Sequence, residues 1–178
     1  MKFEKTPLEG AYLVALDRLS DERGFFARTF CAKEFAEHQL ETQFVQANLS
    51  QNTEAGIVRG MHFQRGADAE VKLVRCISGA VYDVIVDIRE TSPTYLKWFA
   101  AELSAENGML MYVPKGFAHG YQALTENATV HYMVSTYYAP DAEGGLCYDD
   151  PAMGIEWPLL VSSTSPKDAS WPLMKGHE

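Results

Sequence analysis

Ala80-Val81-Tyr82-Asp83-Val84-Ile85-Val86-Asp87-Ile88 reads as a β-strand whichever parity is followed. Tyr82, Val84, Val86 and Ile88 are wholly apolar, whereas the other parity mixes Val81 and Ile85 with Asp83 and Asp87. The apolar parity is expected to face the core. Ser78-Gly79 before the segment and Thr91-Ser92-Pro93 after it are turn-like, so the strand is short and bounded on both sides.

Outward from this strand the same texture recurs. Residues 44–50, 57–64, 71–77, 98–103, 109–113, 120–124 and 128–138 are strand-like. Gln51-Asn52-Thr53-Glu54, Ala105-Glu106-Asn107-Gly108, Pro114-Lys115-Gly116 and Thr125-Glu126-Asn127 punctuate them. Toward the N-terminus, residues 11–16 form a further short strand closed by Ser20-Asp21-Glu22-Arg23-Gly24, and residues 25–30 are aromatic and extended. The one good helical stretch is 31–40, with Phe35 and Leu40 apolar among charged neighbours. So many short strands at this spacing predict an all-β fold, a sandwich or barrel of jelly-roll type, with short peripheral helices. The last 40 or so residues carry Pro140, Pro151, Pro158, Pro166 and Pro172 with Trp157 and Trp171, and read as an irregular arm pinned by aromatic anchors.

A chain of 178 residues, 47% hydrophobic and 12% aromatic, suits one packed domain spanning residues 1–178. A formal net charge of -9 argues against general binding to nucleic acid or anionic membrane, so a phosphate-bearing ligand must be held by a local basic cluster. No apolar run approaches the ~20 residues of a membrane span, and Met1-Lys2-Phe3-Glu4-Lys5 has no leader-like apolar region. Cys31, Cys76 and Cys147 are odd in number and scattered, which predicts reduced thiols and a cytoplasmic protein rather than a disulfide framework or zinc knuckle.

Chemistry-bearing residues gather near strand ends: His62, Lys72, His119 and Tyr132, with Asp168 in the arm. Gly56-Ile57-Val58-Arg59-Gly60-Met61-His62-Phe63-Gln64 alternates imperfectly, apolar at Ile57, Met61 and Phe63 and polar at Arg59, His62 and Gln64. That suits a strand with one packed and one ligand-facing side, on which Gly60 is expected to let a substrate approach the backbone. Taken alone, the stretch favours a hydrogen-bonded structural histidine on a half-buried strand. Two histidines in an all-β fold also suggest a metal site, but His62-Phe63-Gln64 supplies one imidazole and no suitably spaced Glu, so no metal is expected. Metal-free acid/base work fits better. Histidine is a base of suitable strength for a proton next to a ketone, Lys72 or His119 can meet the enolate oxygen, and a tyrosine can reprotonate from the other side. On spacing alone Tyr132 reads as a core aromatic rather than an acid, and Lys72 is equally a solvated strand edge.

These residues sit in a wider set of matches. Asp21-Glu22-Arg23-Gly24-Phe25-Phe26, Val58-Arg59-Gly60-Met61-His62-Phe63-Gln64, Lys72-Leu73-Val74-Arg75, Val113-Pro114-Lys115-Gly116-Phe117-Ala118-His119-Gly120 and Gly154-Ile155-Glu156-Trp157-Pro158 occur in order along the chain. With them the sequence resembles the dTDP-4-dehydrorhamnose 3,5-epimerase family over nearly its whole length. The resemblance implies a cupin-like jelly roll (a double-stranded β-helix) and a homodimer built partly by exchanged N-terminal strands. It implies no cofactor, and a nucleotide-diphosphate sugar as substrate in deoxysugar biosynthesis. By it, His62 is the general base oriented by Asp168, Tyr132 the acid on the opposite face, and Lys72 the enolate stabiliser. Arg59 and His119 would help hold sugar and diphosphate. Arg23, Arg28, Gln46 and Asn48 fall on nucleotide-contact positions, Tyr138 on the position that stacks on the base, and Glu143 and Lys167 on outer contacts.

The chain departs from that pattern at Arg28, where a Glu usually accepts the thymine N3–H, at Ala47 and Leu49, and at Met133. Arginine has donors only. If Arg28 enters the nucleotide pocket, a CDP-linked sugar is favoured; if it turns to an acidic neighbour, dTDP is the expectation. A C3-only epimerase, a non-catalytic sugar-nucleotide-binding cupin and a metal-dependent cupin oxygenase are the other readings.

Overall fold

A computed structural model describes residues 1–174 of the chain. The strand that read on both parities, β8 (Ala80–Asp87), lies between β11 (Phe117–Ala123) and β9 (Trp98–Ser104). β11 also pairs with β6 (Val58–Gln64), and β6 with β13 (Glu143–Gly145), which completes a five-stranded sheet. Facing it is a six-stranded sheet. Its order is β1 (Lys2–Lys5), β2 (Tyr12–Ala15), β10 (Leu110–Val113), β7 (Lys72–Ser78), β12 (Ala128–Val134) and β5 (Gln46–Asn52). Every strand pair in both sheets is antiparallel, and the whole is a cupin-like jelly roll.

The parity expected for β8 is reversed. Val81 and Ile85 point between the sheets and pack with Val74, Leu103, Met111, Phe117, Tyr121 and Val130. Val84 and Val86 point the other way, where Leu146, Met153 and Trp157 cover them. A sheet buried on both faces carries apolar residues on both parities, so alternation cannot choose its inner side. The two acids ride on the β8 parity opposite to the wholly apolar one because each meets partners. Asp83 faces His119, and Asp87 is clamped by Arg89 Nε and Nη2 at 2.8 and 2.7 Å and by the hydroxyls of Ser92 and Thr94. These four donors outweigh the burial that would raise the Asp87 carboxyl and hold it at about 2.

The helical stretch forms α1 (Ala32–Glu37), which presses a fully buried Phe35 onto the outer face of the six-stranded sheet beside Leu73, Leu110 and Tyr112. The aromatic segment before it is a strand only as far as Ala27. There β3 (Arg18–Asp21) and β4 (Gly24–Ala27) make a separate two-stranded arm on which Leu19, Phe25 and Phe26 are exposed.

The C-terminal arm is pinned as its tryptophans suggest. Gln122 bonds both the N–H and the carbonyl of Leu159 at 2.9 Å, and the Ser163 carbonyl accepts from Val58 N–H at 3.0 Å, beside the start of β6. Trp171 lies so closely over Gly145 that a methyl group there would come within 2.1 Å of the indole. The arm then forms α2 (Pro166–Ala169), whose start follows from local chemistry. Ser165 caps it by accepting the Asp168 N–H at 3.0 Å, and Pro166 takes the first turn, where no N–H is needed.

Candidate active site

β6 carries the site because of an irregularity in its pairing. His62 is opposite His119 and Arg59 is opposite Tyr121, so Gly60 and Met61 together face Gly120 alone. This bulge turns Arg59 and His62, three residues apart, onto the same inner side, which is why the alternation around His62 looked imperfect. Gly60 has φ +130°, and a Cβ there would lie 2.6 Å from Gly120 Cα and 2.9 Å from the His119 carbonyl. The glycine is therefore required by the neighbouring strand, not by an approaching substrate as the sequence suggested.

His62 Nε2 lies 2.7 Å from Asp168 Oδ1, while Oδ2 of the same carboxylate accepts the Gly60 N–H at 3.2 Å. Burial works to raise the Asp168 carboxyl, but the His62 contact, Gly60 and Ser165 outweigh it and hold it below its ordinary value. An ionised Asp168 accepts a hydrogen bond from His62 Nε2–H, which leaves Nδ1 as the basic nitrogen. The side chain of His62 is 37% exposed, enough to be reached, whereas that of Asp168 is 5% exposed.

A second pair stands on the adjoining strands. His119 Nε2 lies 2.8 Å from Asp83 Oδ2; Asp83 is fully buried, and among the described residues its Oδ1 has no hydrogen-bond partner. Burial pushes the Asp83 carboxyl up, with His119 drawing it partly back. Asp83 was not among the sequence-derived candidates, although an acid on an otherwise apolar strand was its signal.

Tyr132 and Lys72 come from the opposite sheet, on β12 and β7. Burial pushes the Tyr132 hydroxyl up, so it stays protonated at neutral pH. Lys72 points inward, the strand-edge alternative being wrong, and pairs with Glu70. Arg59 is held by neutral groups, Asn52 Oδ1 at 2.8 Å and the Gln51 carbonyl at 3.1 Å. Tyr121 donates to Ser50 Oγ at 2.9 Å at the cleft floor. Glu70, Tyr121 and Ser50 also escaped the sequence reading: each lies in an ordinary polar or aromatic context there, and only the fold brings it to the cleft.

Two cavities meet here. One, of about 170 Å³, is lined by Ser50, Arg59, His62, Lys72, His119, Tyr121 and Tyr132. The other, of about 320 Å³, shares His62, Lys72 and Tyr132 and adds Gln46, Asn48, Glu70, Tyr138 and Glu143. The shared side chains make them the deep and outer halves of one cleft. At its mouth Glu143 accepts from Tyr138 Oη at 2.9 Å and from Lys167 Nζ at 2.5 Å, and Gln46 Oε1 accepts the Tyr138 N–H at 2.7 Å.

Arg23 and Arg28 do not join them. Arg23 is clasped by Asp21 on the exposed arm, and Arg28 turns to Glu34 at 3.4 Å, so neither lines this chain's own cleft. Among the described residues no group of three or more His, Cys, Asp or Glu is arranged to hold a metal ion, and no helix is long and apolar enough to cross a membrane. With His62 on one sheet and Tyr132 and Lys72 on the other, the cleft can take a proton from one face of a ligand and return one to the opposite face.

The family model described as dTDP-4-dehydrorhamnose 3,5-epimerase matches residues 5–176. A protein of that name from Sinorhizobium fredii is 42% identical over 97% of this chain and 89% of its own length. The crystal structure of a Legionella pneumophila dTDP-6-deoxy-D-glucose-3,5-epimerase in complex with dTDP-4-keto-L-rhamnose is also similar. It is 39% identical, with a TM-score of 0.91 over 97% of this chain and 92% of that one. A 3'-monoepimerase from Streptomyces bikiniensis in complex with dTDP-quinovose is 30% identical, with a TM-score of 0.90 over 96% of this chain and 86% of that one.

Proposed function

Since the chain belongs to the dTDP-4-dehydrorhamnose 3,5-epimerase family, we propose that it inverts C3 and C5 of dTDP-4-dehydro-6-deoxy-D-glucose, giving dTDP-4-dehydro-L-rhamnose for deoxysugar biosynthesis. One observation carries the reading: a carboxylate-backed imidazole and a protonated tyrosine face each other across a cleft from opposite sheets. C3 and C5 both flank the C4 ketone, so a proton on either is acidified by enolate formation. His62 removes it with Asp168 behind, Lys72 and His119 meet the enolate oxygen, and Tyr132 delivers a proton to the other face. Arg59, held by the neutral Asn52 Oδ1 and Gln51 carbonyl, suits the diphosphate. Gln46, Asn48, Tyr138, Glu143 and Lys167 line or rim the outer half, where the nucleotide fits. No metal or organic cofactor is called for by these steps, and residues 1–178 act as one jelly-roll epimerase domain.

Incubation with the 4-keto sugar nucleotide in D₂O tests this. Deuterium at C3 and C5 together with the L-rhamno product is expected; an absence of both would overturn it. A C3-only reaction is favoured by the likeness to the Streptomyces monoepimerase, and one deuterium in place of two marks it. The contact of Arg28 with Glu34 supports dTDP over the CDP-linked alternative.

The exposed Leu19, Phe25 and Phe26 on the β3–β4 arm support a homodimer, with the arm that bears Arg23 lying on the second copy. Light scattering on the parent and on Phe26→Asp tests it: the parent at twice the 19.9 kDa chain mass and the variant at that mass are expected, and a monomeric parent refutes it. The three free cysteines support a reducing compartment, hence the cytoplasm.

A further inference from the structure

Glu70 lies in the bend between β6 and β7, two residues before Lys72, and its carboxylate pairs with the Lys72 ammonium; each side chain is 10% exposed. A lysine stem is flexible and its ammonium strongly hydrated, so a lysine held inside a cleft needs an anchor. Glu70 is itself fixed from behind. Gln64 Nε2 lies 3.4 Å from its second oxygen and also donates to the Asp68 carbonyl at 3.0 Å. Gln64 Oε1 accepts the Ala139 N–H at 2.7 Å, next to Tyr138. Glu70 lines the outer half of the cleft only, whereas Lys72 lines both, so the pair stands at the junction of the halves.

The geometry points to Glu70 as a positioning residue for Lys72: it holds the ammonium at the junction and offsets its charge, so that the cleft stabilises an enolate without over-binding the anionic nucleotide. This rests on the enolate-stabilising reading of Lys72 given above. Two charges so little exposed are costly unless they compensate one another. The negative charge of Glu70 also helps keep the neighbouring Tyr132 hydroxyl protonated.

Glu70→Gln keeps the shape and removes the charge, which gives opposite signs to two readouts. In the full chain kcat is expected to fall by about tenfold, while dTDP binds about threefold or more tightly by calorimetry, because the cleft gains one positive charge. Glu70→Asp, which keeps the charge, restores most of kcat. With Lys72 already replaced by Ala, Glu70→Gln lowers kcat no further. A Glu70→Gln enzyme with parental kcat and parental dTDP affinity overturns the proposal, as does an equal loss of kcat in the Lys72→Ala background. Should Glu70→Gln not fold, as read by circular dichroism, a Glu70→Asp enzyme with kcat as low as that of Lys72→Ala overturns it. An inactive parent would instead refute the epimerase reading, and the dTDP-affinity arm still decides whether Glu70 offsets the Lys72 charge.

Discussion

Two histidine–aspartate pairs stand at the cleft, their histidines opposite one another on β6 and β11, and they are chemical opposites. Asp168 uses both oxygens, for His62 and for the Gly60 N–H, and is held ionised. Asp83 uses one oxygen, leaves the other without a partner among the described residues in full burial, and is pushed toward its neutral form. Their histidines differ likewise: the His62 side chain is 37% exposed and that of His119 10%. An imidazole backed by a fixed anion and open to a ligand suits proton removal. One enclosed beside a carboxyl that resists ionisation suits hydrogen-bond donation. The same two residue types thus take different roles according to how many donors reach the carboxylate and how deeply it lies.

The most severe way to break this contrast is at His62. His62→Ala should lower turnover by about 10²–10⁴ with the fold intact, and solvent deuterium wash-in should vanish with it. His119→Ala should retain measurable wash-in. Equal wash-in from the two variants would erase the distinction between the pairs. Next in size is Tyr132→Phe, where inversion should suffer more than exchange, because His62 still removes a proton and returns it to the same face. Comparing deuterium uptake with epimerised product checks this; equal loss of both would make Tyr132 structural.

A smaller and more discriminating effect is the pH dependence of stability in Asp168→Asn and Asp83→Asn. Asp168 has a depressed value, so its contribution is present above the ordinary 3.8 and is lost as pH falls through the folded value. The Tm deficit of Asp168→Asn should therefore be full at pH 7 and close in acid. Asp83 has a raised value, so what it contributes is present below 3.8 and is lost as pH rises through the folded value. Asp83→Asn should accordingly show the opposite slope, with its smallest Tm deficit at neutral pH. Thermal unfolding of both variants against the parent between pH 3 and pH 7, a window of roughly that width around the carboxylate range, checks the signs. Parallel slopes would show that the two carboxyls ionise alike.

The strands, the buried Phe35 and the cluster of His62, Lys72, His119, Tyr132 and Asp168 were legible because alternation and polar residues near strand ends are local signals. The inner side of β8 was not, because Val84 and Val86 are covered by the arm as fully as Val81 and Ile85 are by the facing sheet. The role of Gly60 was misread because the atom it avoids belongs to Gly120, 60 residues later. The short strands β1, β3 and β13 carry too little pattern to be seen, each being defined by its partner. α2 did leave a local trace, the Ser165-Pro166-Lys167-Asp168 start of a capped helix, but four residues among prolines read as irregular.

Asp168 lies 106 residues after His62, whereas Asp83 precedes His119 by 36 and sits on the adjacent strand. On a growing polypeptide the enclosed pair can therefore form as soon as β11 has joined β8. The reactive pair must wait until the arm has been translated, threaded beside β6 and capped at Ser165. A nascent or prematurely ended chain can thus hold a nearly complete barrel while His62 still lacks the carboxylate that orients it, until synthesis is all but finished.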